Sequence, residues 1–337
     1  MNEKVSIYDI AEYCKVSVAT VSYVINGKKK VSEKTRRIVL EAIDKLGYYP
    51  NYVARALSTG KSNLIGILLP LNDASIAFLQ NPFYVELIGG FEKVSANYNY
   101  DIVIGIEQED EKLEDWIKRR TIDGLILIGS HPKSTYNILK KCGIPIVLID
   151  DYSEESVDFN NIRTDDTLGM YLATKYLIDK GHKKIGFVGN HKLYLIDKMR
   201  FDGYAKAMKE AGLKISNDML YLSDATFDSG LKIADELMKN HNVTAVVCSA
   251  DILGISIIKH YIECGLEIPK DLSIVGFDDI QDANYIYPGL TTVHQEIGTK
   301  GVRAANILFD ILEGRIENKT DIILEPFLVE RQSVKEV

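Results

Sequence analysis

Three aspartates follow short apolar runs that have the composition of buried β-strands. Asp150 and Asp278 come directly after such runs, and Asp251 follows a third run after a Ser-Ala pair. Because ligands of open parallel sheets bind beyond the carboxyl ends of the strands, we expect these carboxylates to face one cleft. A carboxylate accepts hydrogen bonds from two adjacent hydroxyl groups, and an arginine donates to hydroxyl or anionic groups. Such residues could therefore bind a ligand that carries hydroxyl or anionic groups.

Three aromatic side chains are candidates for an apolar platform under a sugar ring. The candidates are Phe83, Tyr152 and Phe227. Phe277 belongs to a predicted strand and fits either the cleft wall or the core. Asp251 also has a structural alternative, because an aspartate at this position suits the N-terminus of the helix that follows.

Paired carboxylates also occur in glycosidases, which need two carboxyl groups at a defined separation across one bond. The sequence does not supply that separation. No Gly-rich phosphate-binding loop follows a strand, and the histidines and cysteines lack metal-ligand spacing. Those considered are His131, His182, His241, His294, Cys14, Cys142, Cys248 and Cys264. Nucleotide and metal enzymes therefore lack support, and we expect neither a metal nor a cofactor.

The elements that must position these residues alternate between strand and helix from residue 62 onward. Seven apolar runs have strand length, and helical patterns lie between most of them. The predicted strands are Leu64–Leu69, Asp101–Ile106, Gly124–Ile128, Ile146–Ile149, 184–188, Ala245–Cys248 and 273–277. Short buried strands separated by helices indicate parallel, doubly wound sheets, and two clusters of strands predict two such subdomains.

The chain has 337 residues, enough for two or three domains, and its charge is unevenly spread. Residues 1–61 contain 11 Lys and Arg against 6 Asp and Glu, a net charge of +5, whereas the remainder carries 29 against 42, a net charge of −13. A basic arm on an acidic protein suggests that the arm alone meets a polyanion, although +5 also fits a solvated terminus. We expect no signal peptide, because charged residues such as Lys4 and Asp9 interrupt the first fifteen residues. We also expect no membrane span, because no run approaches about 20 apolar residues.

Residues 6–47 have the pattern of three short helices, each opened by a serine. The caps are Ser6, Ser17 and Ser32, and Asp9 completes a variant of the capping box with Ser6. The expected inward residues are Ile7, Ile10, Ala11 and Cys14, then Val21, Val24 and Ile25, then Ile38, Ala42, Ile43 and Leu46. The short Lys15-Val16 turn predicts a helix-turn-helix, the alternative being a plain three-helix bundle.

The second of these helices has an outward face of small or uncharged residues. The face comprises Val18, Ala19, Thr20, Ser22, Tyr23 and, at the end of the helix, Asn26. Such a face suits close approach to base edges in the major groove of DNA.

Ordered motifs along the chain resemble the lac repressor/galactose repressor (LacI/GalR) family. In the first sixty residues they are Ser6-Ile-Tyr-Asp-Ile-Ala-Glu12, Val16-Ser-Val-Ala-Thr-Val-Ser22, Asn26-Gly27, Val31-Ser-Glu-Lys-Thr-Arg36 and Leu46-Gly-Tyr-Tyr-Pro-Asn51. Further motifs are Asn81-Pro-Phe-Tyr84, Ile122-Asp-Gly-Leu-Ile-Leu127, Ile162-Arg-Thr-Asp165, Gly181-His-Lys-Lys-Ile-Gly186, Arg200 with Gly203-Tyr204, Ser249-Ala-Asp251, Val275-Gly-Phe-Asp-Asp279 and Pro288-Gly-Leu-Thr-Thr-Val293. The resemblance thus covers the whole chain.

The resemblance implies a DNA-binding headpiece over residues 1–49 and a hinge helix with its linker over residues 50–61. The implied DNA-binding residues are Ser6, Ile7, Tyr8, Ser17, Val18, Ala19, Thr20, Ser22, Tyr23, Asn26, Ser32, Thr35, Asn51, Ala54, Arg55 and Leu57. The hinge helix is too short to be stable alone, so we expect it to fold only on DNA. Leu57 would then wedge between base pairs in the minor groove and kink the duplex.

For residues 62–337 the resemblance implies an effector-binding and dimerisation core similar to periplasmic sugar-binding proteins. Its N-subdomain would comprise residues 62–163 and 292–322, and its C-subdomain residues 164–291 and 323–337, with chain crossings near residues 163, 291 and 322. Arg200 matches the effector-binding arginine of the family, Asp150 and Asp278 match its cleft aspartates, and Gln295 matches a glutamine at a chain crossing. With the candidates above, the expected effector site is Phe83, Asp150, Arg200, Phe227, Asp251, Phe277, Asp278 and Gln295.

The implied function is that of a cytoplasmic, nucleoid-associated homodimer that binds a pseudo-palindromic DNA operator and is not an enzyme. It would repress carbohydrate-utilisation genes, with a small-molecule effector, a sugar or a sugar derivative, bound between the two subdomains. The alternative within the family is a catabolite control protein, whose corepressor is a phosphorylated carrier protein. A periplasmic or transport role is opposed by the headpiece and by the expected lack of a signal peptide.

Three features depart from the family pattern. Most relatives carry arginine at the position of Tyr23, so the usual operator sequence does not transfer. A segment at residues 71–80, apolar around 76–79, separates the first strand from Asn81 and would be either a variable loop or a lid on the cleft. A lid predicts that deleting residues 73–78 weakens the response to effector, and a loop predicts no change. No heptad pattern follows Arg331, which favours a dimer formed through the core.

Overall fold

The structure is a computed structural model that describes residues 5–25, 31–48, 60–69, 81–106, 113–190, 192, 194–240, 242–316 and 318–337. The chain divides into two compact units, Met1–Ser62 and Asn63–Val337. Several predicted features lie outside the described residues: Asn26, Asn51, Ala54, Arg55, Leu57, the rest of the hinge over 51–59, and the segment 71–80. Predictions about them stay predictions.

The described residues of the first unit form three helices, α1 (Ile7–Cys14), α2 (Val18–Ile25) and α3 (Glu33–Leu46). Ser6 and Asp9 form the capping box: the Ser6 hydroxyl accepts from the Asp9 backbone N–H, and the Asp9 carboxylate accepts from the Ser6 N–H at 2.7 Å. The backbone N–H groups of Thr20 and Thr35 donate to the hydroxyls of Ser17 and Ser32 at 3.1 and 3.3 Å. All three predicted serine caps are therefore confirmed.

The core of this unit is formed by one apolar stripe from each helix. Its fully buried members are Ile10, Ala11, Val21, Val24, Val39 and Ala42. Ile38, which we predicted to point inward, is 40% exposed, and Val39 takes its place. The stripe of α3 runs through positions 39, 42, 43 and 46, the i, i+3, i+4, i+7 spacing of a helix face, so residue 38 falls one position outside it.

The second unit is built on two six-stranded sheets. The N-subdomain strands are β1 (Leu64–Leu69), β2 (Asp101–Ile106), β3 (Gly124–Ile128), β4 (Ile146–Ile149), β5 (Asn160–Thr164) and β11 (Asp321–Leu324). The C-subdomain strands are β6 (Ile185–Val188), β7 (Leu220–Tyr221), β8 (Ala245–Cys248), β9 (Ser273–Asp278), β10 (Thr291–His294) and β12 (Phe327–Val329). The N-subdomain sheet has the order β11-β5-β4-β3-β1-β2, and the C-subdomain sheet has the order β12-β10-β9-β8-β6-β7. Every pairing is parallel except the antiparallel contact of β12 with β10.

Helices flank both sheets. Those of the N-subdomain are α4 (Pro82–Ser95), α5 (Leu113–Arg120), α6 (Lys133–Cys142) and α12 (Ile297–Leu312). Those of the C-subdomain are α7 (Asp166–Asp179), α8 (Leu195–Glu210), α9 (Phe227–Lys239), α10 (Asp251–Glu263) and the single turn α11 (Asp282–Tyr285). Strands such as β3, β4, β6 and β8 are buried along their whole length, as parallel strands covered on both faces must be. The predicted pair of doubly wound sheets is therefore confirmed.

The chain passes between the two sheets three times. It leaves the N-subdomain sheet after Thr164, returns after His294, and leaves again after Leu324. The subdomain boundaries expected at 291/292 and 322/323 fall inside β10 and β11. Because the three segments lie side by side between the sheets, a change at one of them can alter the angle between the subdomains.

Two helix pairs approach so closely that glycine is required at the contact. A Cβ atom at Gly203 of α8 would lie 2.1 Å from the carbonyl oxygen of Thr167 in α7. A Cβ atom at Gly301 of α12 would likewise lie 2.1 Å from the Leu87 carbonyl oxygen of α4. The carbonyl oxygen of the facing helix is part of the backbone and cannot rotate away as a flexible side chain does. A methyl group at either glycine must therefore push the two helices apart.

We expect Gly203→Ala to destabilise the core by about 1–3 kcal/mol, the usual cost of overpacking. Gly89→Ala is the matched control, because Gly89 is also helical and its added Cβ would meet no atom within 4 Å. The control should gain roughly 0.5–1 kcal/mol, since alanine loses less entropy than glycine on forming a helix. Urea unfolding of both variants measures the difference, and equal midpoints would disprove the close approach.

Candidate DNA-reading face and polar cleft

The predicted DNA-reading face lies partly at the surface of the first unit. Tyr8 is 71% exposed, and Ser17, Ala19 and Ser32 are exposed as well. The others are partly buried: Ser6, Ile7, Val18, Thr20, Ser22, Tyr23 and Thr35. Ile7 and Val18 also pack against the core of the unit, so they position the face as well as belonging to it.

Two hydroxyl pairs mark the N-termini of α2 and α3. The Ser17 and Thr20 hydroxyls lie 2.8 Å apart, and those of Ser32 and Thr35 lie 2.9 Å apart. Hydroxyls and backbone N–H groups at a helix N-terminus are suited to phosphate oxygens. The same residues that cap the helices thus offer donors to a nucleic-acid backbone.

In the second unit, polar residues at the carboxyl ends of strands meet at the chain crossings. Asp150 follows β4. Each of its carboxylate oxygens accepts a hydrogen bond from Lys300 of α12, whose Nζ lies 2.7 Å from both. The Thr164 backbone N–H donates to the same carboxylate at 3.3 Å. Lys300 Nζ also donates to Gln295 Oε1 at 2.8 Å. Asp150 is therefore tied to both the first and the second crossing.

Gln295 carries this chain of contacts into the C-subdomain. Its Nε2 donates to Asp278 Oδ1 at 2.6 Å, and its Oε1 accepts from the Thr164 hydroxyl at 3.0 Å. Asp278 Oδ1 in turn lies 3.7 Å from Arg200 NH1. Asp150, Gln295, Asp278 and Arg200, four of the predicted effector residues, thus form one contiguous cluster, which we call the cleft cluster together with Lys300 and Asp166.

Arg200 is held from three sides. Its Nε donates to Asp166 Oδ1 at 2.7 Å, and its NH1 donates to the Ser249 carbonyl oxygen. The guanidinium carbon lies 3.8 Å from the centre of the Phe277 ring, close enough for a cation–π contact. Phe277 is fully buried and belongs to the core of the C-subdomain, and its contact with Arg200 places it beside the cleft cluster.

Burial dominates the electrostatics of the cleft cluster. It raises the pKa of Asp278 to about 7, with Arg200 and Gln295 acting in the opposite direction. It also raises the pKa of Asp150, against the effect of Lys300. Burial lowers the pKa of Arg200, but Asp166 and Asp278 outweigh it and leave that pKa above its usual value. Carboxylates whose pKa is raised lack full compensation by cations, which is typical of binding sites.

A second group of polar residues lines the ends of β6 and β7. The Asn190 backbone N–H donates to Asp197 at 2.6 Å, and its side-chain amide donates to Asp224 at 3.1 Å. The Tyr194 hydroxyl also donates to Asp224 at 3.1 Å. Burial raises the pKa of Asp197, and Arg200 acts in the opposite direction, which ties this group to the cleft cluster.

The remaining predicted residues take different positions. Asp251 is fully buried, and its carboxylate accepts from the Thr292 hydroxyl and from the Ile280 backbone N–H. Phe83 lies on α4 with its ring centre 5.8 Å from Lys300 Nζ, beside the cleft cluster. Phe227 opens α9 and is partly buried against the core. Asp251 is not the cap of α10, because the N-cap is Ala250, and its bonds instead join α10 to β10 and to the loop after β9.

Tyr152, expected as an apolar platform, also has a buried polar role. Its hydroxyl lies 2.7 Å from the Thr164 carbonyl oxygen and within hydrogen-bond distance of the Asp166 carboxylate, and its single proton is shared between these two acceptors. This contact links the N-subdomain to the first helix of the C-subdomain across the first crossing.

Lys300 and Asp166 are the functional candidates that sequence reasoning missed. Lys300 is 0% exposed although lysine is normally a surface residue. A signal was present, since Ile297, Lys300, Ala304 and Leu308 fall on one buried stripe of α12. A lysine within an apolar stripe indicates a buried charge that needs a partner.

In the part of the chain that the structure describes, no group of three or more His, Cys, Asp or Glu residues could hold a metal ion, and no helix there is both long and apolar enough to traverse a membrane.

Two family models match the chain. The model described as "Bacterial regulatory proteins, lacI family" matches residues 6–51, and the model described as "Periplasmic binding protein-like domain" matches residues 174–334. The chain is 36% identical over 340 residues to the HTH-type transcriptional regulator RegA of Clostridium saccharobutylicum, covering 97% of this chain and 98% of that protein. It is 32% identical over 337 residues to the HTH-type transcriptional repressor PurR of Pasteurella multocida (strain Pm70), covering 98% of each.

Solved structures show the same architecture. The lac repressor dimer bound to operator and the anti-inducer ONPF superposes with a TM-score of 0.83 at 23% identity, covering 98% of this chain and 99% of that one. The transcriptional regulator CelR in complex with cellobiose gives a TM-score of 0.73 at 25% identity, covering 98% and 100%. These matches confirm the predicted fold class, a helix-turn-helix headpiece followed by a core of periplasmic-binding-protein type.

Proposed function

The chain belongs to the LacI family of bacterial regulatory proteins, whose members are DNA-binding transcriptional regulators and not enzymes, and from this we propose that it represses carbohydrate-utilisation genes under the control of a sugar. The observation that carries the effector part is the cleft cluster, in which Asp150, Gln295, Asp278 and Arg200 meet at the crossings between two sheets. Carboxylate acceptors beside an arginine suit a ring bearing adjacent hydroxyls. The CelR–cellobiose complex supports a sugar as ligand class.

The headpiece supplies the DNA-binding part of the proposal. Its outward face consists of small and hydroxylated residues on α2, and the hydroxyl pairs at the N-termini of α2 and α3 suit phosphates. A homodimer would place one headpiece on each half of a pseudo-palindromic operator, and the similar lac repressor is a dimer bound to operator. Two basic headpieces make binding steeply dependent on salt. The protein would accordingly act on the nucleoid.

Control would pass from the cleft to the DNA through the angle between the subdomains. A sugar that bonds to Asp278 and Arg200 on one side and to N-subdomain residues on the other stabilises one angle. The change in angle would alter the spacing of the two hinge segments and hence their ability to fold on DNA. A coupling free energy of about 1–3 kcal/mol changes operator affinity about 5–150-fold.

The test is a titration of the full chain on the operator region upstream of its own gene, measured by fluorescence anisotropy. Cellobiose, ribose and glucose 6-phosphate are the probes, and binding of each to the protein is measured separately by calorimetry. We expect one of the neutral sugars to change operator affinity by at least about fivefold. Operator binding without any sugar response would contradict the effector part, and no sequence-specific binding would contradict the whole proposal.

The same titration separates the alternative of control by a phosphorylated carrier protein. In that case operator affinity changes when the phosphorylated carrier is added and stays unchanged with each free sugar. The unphosphorylated carrier is the control, because the phosphate supplies the charge that such a partner would read.

Tyr23 bears on which operator is bound. We expect Tyr23→Arg to create a preference for guanine at one base pair of each half-site, because arginine binds guanine O6 and N7 bidentately, worth about 1–3 kcal/mol of discrimination. Binding-site selection with wild type and variant measures the change. Tyr13→Arg is the control, since it adds the same charge on α1, where Tyr13 is 50% exposed, and should strengthen binding without altering base preference. An unchanged base preference in Tyr23→Arg would refute the prediction.

A further inference from the structure

Lys300 is the most unusual residue of the cleft cluster. Its side chain is 0% exposed, and its Nζ lies 2.7 Å from each oxygen of Asp150 and 2.8 Å from Gln295 Oε1. An ammonium group has three N–H donors and no acceptor. Three acceptors within hydrogen-bond distance therefore match its full donor capacity.

This donor-only group decides which way the Gln295 amide faces. A glutamine amide carries an acceptor at one end and two donors at the other, and its orientation follows from its neighbours. Lys300 and the Thr164 hydroxyl both lie beside Oε1, so Nε2 is turned toward Asp278, to which it donates at 2.6 Å. The reversed amide would set its NH₂ group against the ammonium.

We propose that Lys300 is a positioning residue of the effector site, which orients Gln295 toward Asp278 and withdraws Asp150 from the effector by occupying both of its oxygens. The inference rests on the proposed function, because it assigns roles within the same cleft. Asp278, held by a donor from Gln295 and flanked by Arg200, is then the carboxylate that accepts from the effector's hydroxyls. Specificity for the pattern of those hydroxyls lies on the C-subdomain side.

The position of Lys300 also explains why its role extends beyond one contact. Thr164 belongs to the first chain crossing and Gln295 to the second. The Thr164 hydroxyl and Lys300 Nζ both donate to Gln295 Oε1, so Lys300 acts where the two crossings meet. Removing the ammonium frees the amide to turn and leaves Asp150 buried without its cation. Both effects fall on the segments that set the angle between the subdomains.

The test compares Lys300→Met, which keeps the length of the side chain, with wild type in the full chain. The first readout is hydrogen exchange of the Gln295 side-chain amide by NMR, which needs no effector. We expect slow exchange in wild type and at least about tenfold faster exchange in the variant, the effect of losing one well-formed hydrogen bond. The second readout is calorimetric affinity for cellobiose and ribose, expected to fall at least about tenfold for whichever of them binds wild type.

Thr174→Val is the control for loss of a buried polar contact elsewhere. Thr174 is 0% exposed and its hydroxyl donates to the Met170 carbonyl oxygen within α7. This variant should leave both readouts within about twofold of wild type. Unchanged amide exchange in Lys300→Met overturns the inference whatever the sugars do, and so does a loss of sugar affinity no larger than that of the control. If neither sugar binds wild type, the sugar effector of the proposed function fails, and amide exchange alone decides the role of Lys300.

Discussion

Arg200→Met is expected to lower the free energy of unfolding of the core by about 3–5 kcal/mol, the usual cost of removing one partner from a buried ion pair. Arg200 is 5% exposed, and its side chain donates to Asp166 at 2.7 Å and to the Ser249 carbonyl oxygen. Methionine would preserve contact with the Phe277 ring but would leave Asp166 and Asp278 without their shared cation. The loss of the charge, not of packing, therefore dominates.

Urea unfolding followed by circular dichroism measures this change. Trp116, the single tryptophan of the chain and 6% exposed, reports by fluorescence on the N-subdomain core in the same samples. Arg315→Met is the matched control, because its ion pairs with Asp310 and Glu313 lie at the surface and are worth little in water. Midpoints of the two variants that coincide would show that Arg200 is not a structural centre of the cleft.

Arg200→Lys separates binding from stability. Lysine keeps the positive charge beside Asp166 but lacks the planar fork that reaches Asp166 and Ser249 together. We therefore expect Arg200→Met to lose both stability and the response to sugar, and Arg200→Lys to recover most of the stability but not the response to sugar. A variant that recovered both would place the sugar away from Arg200.

The sequence predicted the strands that are continuous apolar runs. The seven predicted strands correspond to β1, β2, β3, β4, β6, β8 and β9, with ends differing by one residue at β6 and β9. The five others are short or mix polar residues with apolar ones, as β5 (Asn160–Thr164) and β7 (Leu220–Tyr221) do. Such segments become strands because a neighbouring strand pairs with them, and pairing over long sequence distance leaves no local pattern.

The candidate site was predictable where a residue type and a strand end coincide. Asp150 follows β4, and Asp278 is the last residue of β9. The resemblance to the family added Arg200 and Gln295 to the predicted site. The apolar stripe of α12 marks the charge of Lys300 as buried, but its partner Asp150 lies half the chain away, so no local pattern identifies that partner. Asp251 also follows a predicted strand, and on that ground it was predicted to bind the effector. Its carboxylate instead accepts hydrogen bonds from Thr292 and Ile280.

Asp278→Asn is expected to remove a large part of the pH dependence of stability. Burial raises the pKa of Asp278 to about 7, whereas an aspartate in an unfolded chain has a pKa of about 3.9. The folded protein therefore binds this proton more tightly than the unfolded chain. It follows that the contribution of Asp278 to the unfolding free energy is fully present below about pH 4 and is lost as pH rises to about 7, by at most about 1.4 kcal/mol per pH unit. Asparagine does not titrate, so the variant should gain on wild type over this window.

The measurement is the unfolding free energy of both proteins at pH 5, 6, 7 and 8. The difference in favour of the variant should grow from pH 5 to 7 and then level off. Asp218→Asn is the control, because Asp218 is exposed and hydrogen bonds from Ser216 lower its pKa, so it should add no growing advantage above pH 5. Parallel curves for wild type and Asp278→Asn would mean that the carboxylate stays ionised in the fold. A buried carboxylate that weakens the fold at neutral pH is retained for what it binds, so the variant that gains stability should be the one that loses its sugar.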